Sequence, residues 1–243
     1  MKASFVDLVF VIDASESMRP CFEGLARNLE QVTQPLQGFN FKVRLGLVAM
    51  NVGVSDNGGQ LIGATTLAGG WDSVYTAGNA DSKLFTLDGD AFSRKLRSVE
   101  LEGDENHLMA LDFALDFPFG PVSSHRRVVA LFSDEKIEDG SVTAEQMAMI
   151  PKLIEKAMAR KVTLFAALPF SPALEMLGSL DGAQIEAVSG GDGLASVNFS
   201  KLLGQMAKSI SMASAQGAEE KYTRALFGQD EWVSASGSFA GLR

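Results

Sequence analysis

Cysteine is almost absent: Cys21 is the only one in 243 residues. No internal disulfide can form, which excludes the stapled framework of small secreted domains. Histidine is nearly as scarce, with His107 and His125 alone. Neither has a cysteine or a second histidine at ligand spacing, so a zinc site is not expected. No stretch approaches the roughly 20 apolar residues that cross a bilayer. The opening Met1-Lys2-Ala3-Ser4-Phe5-Val6-Asp7 breaks its apolar run with a charge, so no secretory leader is expected. Basic residues are outnumbered, 21 against 30 acidic, for a net charge of −9. That balance argues against a broad basic face for nucleic acid or for an anionic membrane. The expectation is a soluble cytoplasmic protein with no nucleic-acid or membrane partner.

Several catalytic signatures are missing too. There is no G-x-x-x-x-G-K-[ST] phosphate loop, no G-x-G-x-x-G turn and no G-x-S-x-G elbow. What is present is apolar: 46% of the residues are hydrophobic, enough for a sizeable core. The length suits one large α/β domain with an appendage.

Phe5–Ile12 is apolar and β-branched except for Asp7, the pattern of a strand covered on both faces. Phe22, Leu25, Ala26, Leu29, Val32 and Leu36 recur at helical spacing, predicting an amphipathic helix over about 20–37 that Gly38 ends. Phe41–Met50, Lys83–Leu87, Arg127–Phe132 and Val162–Leu168 read as further strands, with Gln60–Ala68 and Gln184–Val188 as edge strands. Helices are predicted over Asp90–Val99, from about Asn106, from the Thr143-x-x-Gln146 capping box to about Arg160, over Pro172–Leu180 and over Phe199–Met212. Met147, Met149 and Met158 read as core filling, and Cys21 as a small apolar core residue. His107 reads as a solvated helix-start residue and His125 as a loop residue. The domain is expected over residues 1–213. A C-terminal tail over 214–243 carries Trp232 and Phe239 in poor core-forming sequence, and Trp71 and Tyr75 sit in a Gly-rich loop. Alternating strands and helices predict a doubly wound, mostly parallel sheet with helices on both faces and one antiparallel edge strand. Ligands of such sheets bind at the carboxyl ends of the strands.

The loop after the first strand holds Asp13, Ser15 and Ser17 in the form D-x-S-x-S. A carboxylate and two hydroxyls are hard oxygen donors, suited to Mg²⁺ or Mn²⁺. The bland alternative is that Ser17 caps the next helix and Asp13 makes a turn. Asp134 ends a second buried strand, and the polar loop Leu101–Asn106 lies between the two.

The segments Val9-Phe10-Val11-Ile12-Asp13-Ala14-Ser15-Glu16-Ser17-Met18 and Val128-Val129-Ala130-Leu131-Phe132-Ser133-Asp134, with Gly103-Asp104 between them, resemble the von Willebrand factor type A (vWA) family. The order of elements resembles that family's Rossmann-like fold over about residues 4–212. The resemblance implies a metal-ion-dependent adhesion site (MIDAS) in which Asp13, Ser15, Ser17 and Asp134 hold a divalent ion, Mg²⁺ or else Mn²⁺ or Ca²⁺. An acidic side chain of a partner protein would complete the coordination. The family usually offers a threonine from the middle loop; here Asp104 reads as its substitute and the fifth metal residue. Glu135, where the family often has glycine, departs from the pattern and acidifies the rim. The expected function is therefore a protein-interaction module and not an enzyme. Family resemblance suggests partners such as an AAA+ ATPase or a kinase/phosphatase system. The alternatives are a Mg²⁺-dependent phosphohydrolase using the same carboxylates, and a structural domain with an empty site. A haloacid-dehalogenase reading fails because that chemistry needs a second aspartate where Ser15 stands.

Overall fold

A computed structural model describes residues 4–54, 60–67, 69–70, 84–140 and 142–215. The expectations for Trp71, Tyr75, Trp232 and Phe239 fall outside these residues. The described chain forms eight strands. They are β1 (Ser4–Asp13), β2 (Phe41–Val54), β3 (Gln60–Thr66), β4 (Gly69–Gly70), β5 (Phe85–Thr86), β6 (His125–Phe132), β7 (Val162–Leu168) and β8 (Gln184–Ala187). A short 3₁₀ turn (Glu16–Met18) leads into α1 (Arg19–Asn28), and α2 (Glu30–Gly38) follows. The later helices are α3 (Gly89–Arg97), α4 (His107–Leu115), α5 (Ala144–Met147), α6 (Ile150–Arg160), α7 (Pro172–Gly178) and α8 (Phe199–Ala215).

The sheet runs β4-β3-β2-β1-β6-β7-β8, with β5 pairing β2 off this path. Strands β2, β1, β6, β7 and β8 are mutually parallel. Antiparallel pairing begins at β3. The predicted doubly wound, mostly parallel sheet is thus the observed one. The single helix expected over 20–37 is divided at Leu29 into α1 and α2.

Burial on both faces explains the near-unbroken apolar run of β1. Val6, Leu8, Phe10 and Ile12 face a core shared with residues of α1, α2, α3 and α8. Val9 and Val11 face a second core with residues of α4, α6 and α7. Asp7, the charge inside that run, is fully buried and takes two bonds from the Arg44 guanidinium, at 2.6 and 2.7 Å, plus the Gly120 N–H at 2.8 Å. A buried carboxylate is tolerable when so compensated.

Cys21 is buried, as expected. The methionine expectation holds only in part. Met147 packs partly buried against the second core, but Met158 is 57% exposed because its place on α6 turns away from the sheet. His125 opens β6 and stacks on Phe5 at 4.6 Å. Among the described residues no helix is long and apolar enough to cross a membrane.

Asn106 fixes where α4 begins. Its Oδ1 accepts the Met109 N–H at 3.1 Å, and its Nδ2 donates to Gln146 Oε1 at 3.1 Å, tying the helix start to the Thr143 capping box. Asn106→Ala should lower stability by about 1–2 kcal/mol, read as a lower urea midpoint at unchanged slope.

Candidate functional site

Two loops leave the carboxyl ends of neighbouring strands, and the loop between α3 and α4 meets them there. Ile12 pairs with Phe132 across β1 and β6, so the segments after both strands emerge side by side. The Ala14 N–H donates to the Met50 carbonyl, and the Ala14 carbonyl accepts the Glu102 N–H, both at 2.9 Å. The middle loop is thereby fastened to the first.

Asp13 is 3% exposed. Its Oδ1 accepts the Ser15 N–H at 2.7 Å, and its Oδ2 accepts the Ser133 hydroxyl at 2.9 Å. The Ser15 and Ser17 Oγ atoms are 3.1 Å apart, and the Ser17 hydroxyl donates to Asp134 Oδ1 at 3.1 Å. Asp134 Oδ2 accepts the Gly193 N–H at 2.7 Å, and its main-chain carbonyl accepts the Gly191 N–H at 2.8 Å. Gly193 has φ +62°, and a Cβ there would run into the Ser17 carbonyl oxygen. Glycine is required on both counts. Asp13, Ser15, Ser17 and Asp134 thus form one hydrogen-bonded cluster.

The electrostatics of this cluster favour a cation. Burial lifts the Asp13 carboxyl to about 6, against the donors at Ser15 and Ser133, and the Asp134 charge pushes the same way. Burial and the same two carboxylates also push the Cys21 thiol up. The donor set is carboxylate and hydroxyl oxygen only, which suits Mg²⁺, Mn²⁺ or Ca²⁺. The residues fit such an ion: two carboxylates within one cluster are held by hydroxyls and N–H groups rather than by a full positive charge.

Asp104 is placed differently from the other four. It is exposed, and its Oδ1 accepts the N–H of its neighbour Glu105 at 3.1 Å. Carboxylate oxygens of Asp104, Glu105 and Glu135 lie within 4.8 Å of one another. Glu105 is the buried member, 1% exposed; its carboxyl is hydrogen-bonded to those of Asp104 and Glu135 and meets no other partner among the described residues. Burial drives its carboxyl up to about 10, with Asp104, Asp13 and Glu135 adding to the shift. His107, expected in solvent, is buried at 2% exposure because α4 turns it inward. Among the described residues neither ring nitrogen has a partner, and burial lowers it to about 4, so it is a neutral core residue.

Ser133, Glu105 and Gly193 escaped the sequence reading. Ser133 was hidden beside the more conspicuous Asp134. Glu105 stood next to Asp104, and only one of two adjacent side chains turns inward. The Gly190-Gly191-Asp192-Gly193 run was a signal for a loop of left-handed residues, but nothing local ties it to Asp134.

The von Willebrand factor type A domain family matches residues 7–167. Among solved structures, the SpRpn10 VWA domain is similar with a TM-score of 0.51 at 14% identity, over 82% of this chain and 94% of that one. The pilus adhesin SpaC from Lactobacillus rhamnosus GG, in its open conformation, gives a TM-score of 0.51 at 16% identity, over 86% of this chain and 30% of that one. At such identities the likeness is one of fold. No curated protein matches the chain in sequence. The family match spans well over half of the chain and covers both the D-x-S-x-S loop and Asp134, so the chain belongs to the von Willebrand factor type A family.

Proposed function

We propose that this chain is a protein-interaction module that grips an acidic side chain of a partner through a divalent cation, without turnover. The observation that carries the reading is the single hydrogen-bonded cluster of Asp13, Ser15, Ser17 and Asp134, assembled from two loops at the carboxyl ends of neighbouring parallel strands. Asp13 and Asp134 would supply charge, and Ser15 and Ser17 neutral oxygens. When bound there, the cation supplies a positive charge that an oxygen of the partner can share. Ser133 holds Asp13 in place and Gly193 holds Asp134, so neither carboxylate needs reorientation. Asp104 bears on the rim, through its contact with Glu105. A neighbour of the same fold is itself an adhesin, which agrees with an adhesive role.

The phosphohydrolase alternative would use the same carboxylates, and one pair of assays separates the two. Immobilised wild-type chain should retain a partner from cell extract with Mg²⁺ and release it in EDTA, while leaving p-nitrophenyl phosphate intact. Phosphate release by wild type that disappears in Asp13→Ala would overturn the interaction reading.

A further inference from the structure

We propose that the segment Ala218–Phe227, which follows α8, docks back as a helix into an amphipathic groove between α8 and the outer strands of the sheet. The docking does not depend on the cation.

The groove has a volume of about 630 Å³. Val128, Phe165 and Met206 give it an apolar side, and Thr163, Gln184 and Glu186 a polar one. Parallel strands are normally covered by helices on both faces. On one face of β7, Leu164, Ala166 and Leu168 pack in a core with residues of α6 and α7. On the other face, that of Phe165, the groove lies between the strand and α8.

The chain leaves α8 at this groove. The Ser209 hydroxyl donates to Gln184 Oε1 at 2.7 Å, which holds the last part of α8 against the start of β8. Met212 lines the groove, and α8 ends at Ala215. Residues 216–243 follow and lie outside the described ones. Gly217 stands where a chain leaving a helix can reverse its direction.

The sequence after Gly217 has the pattern of an occupant. Ala218, Tyr222, Ala225 and Leu226 recur at i, i+4, i+7 and i+8, one apolar stripe of a helix. Glu219, Glu220, Lys221 and Arg224 fall outside the stripe, and Glu220 and Arg224 stand at the spacing of a favourable helical pair. Gly228 closes the segment. A helix shorter than about 12–15 residues is marginal in water alone, so this one needs a surface to pack against. Tethering decides between this segment and an outside partner. A segment joined to the chain at the groove is present at high effective concentration, and any other occupant would have to displace it.

The test is amide hydrogen exchange of the full chain in EDTA, followed by mass spectrometry. Amides of 218–227 should exchange at least about tenfold more slowly than in a free peptide spanning Gly217–Gly228. The double variant Tyr222→Ser/Leu226→Ser should remove this protection and speed exchange in β7 and β8. Both positions lie beyond α8, so the domain should still fold; a thermal melt checks this. Thr163→Arg, which puts a long charged side chain at the groove, should also release 218–227. Exchange of 218–227 at the free-peptide rate in wild type would overturn the proposal. Protection lost in the double variant but kept in Thr163→Arg would place the segment elsewhere and overturn it too. So would protection that rises with protein concentration, which would put a second copy's segment in the groove.

Discussion

The Asp13→Ala variant should lose most of the melting-temperature gain that Mn²⁺ gives the wild type, a gain of roughly 5–10 °C. A ligand of the folded state at about 100 times its Kd adds about 2.7 kcal/mol. In a domain of this size each kcal/mol moves the melting temperature by about 2–4 °C. Asp13 matters because its carboxylate is buried and anchors two donors, the Ser15 N–H and the Ser133 hydroxyl. Alanine removes the charge and frees both donors, so the loop loses its shape along with its ligand. The relevant quantity is the shift caused by Mn²⁺, measured against an EDTA control, and not the absolute melting temperature. A wild-type shift retained in Asp13→Ala would mean that the ion responsible sits elsewhere.

Glu105→Gln should do the opposite to the metal-free protein and stabilise it by about 3 kcal/mol at pH 7. The sign follows from proton binding. Glu105 has its ordinary carboxyl value of 4.5 when unfolded and about 10 in the fold. Its cost is absent below pH 4.5 and grows as pH rises towards 10. Two other groups also titrate but finish earlier. Asp13, raised from 3.8 to about 6, penalises the fold increasingly up to about pH 6 and no further. His107, lowered from 6.5 to about 4, penalises it as pH falls from 6.5 to 4. Between about pH 6.5 and 8.5 the slope of metal-free stability therefore belongs chiefly to Glu105. Urea midpoints in EDTA across that window should fall with pH in wild type and stay nearly level in Glu105→Gln. Equal slopes would mean that Glu105 carries no such burden.

Much of this was legible in the chain itself. Strands buried on both faces announce themselves as apolar runs, and the groups ending them are conspicuous because they are polar. Asp13 and Asp134 were found that way, and the alternate spacing of Ser15 and Ser17 completed the cluster. What escaped depended on contacts between distant segments. Whether Asp104 or Glu105 turns inward is decided by the packing of the middle loop against Gly140 and the first loop, and neither contact is local. His107 at a helix start could face either way until α4 was seated on the sheet. Gly193 lies 59 positions from Asp134 in sequence, and no periodicity connects them.

The clasp that Gly193 and Ser17 make on Asp134 has a kinetic consequence. The oxygens of the first cluster are already arranged by the protein's own donors, so the entropy of ordering them is lost in folding and not on ion capture. Loading of a cation there would then wait on the ion shedding its water. Mg²⁺ dehydrates reluctantly and should load more slowly than Ca²⁺, whose coordination is looser, even where the final affinities are alike. A change in local cation supply would be registered at the speed of water exchange, with no segment of chain needing to fold first.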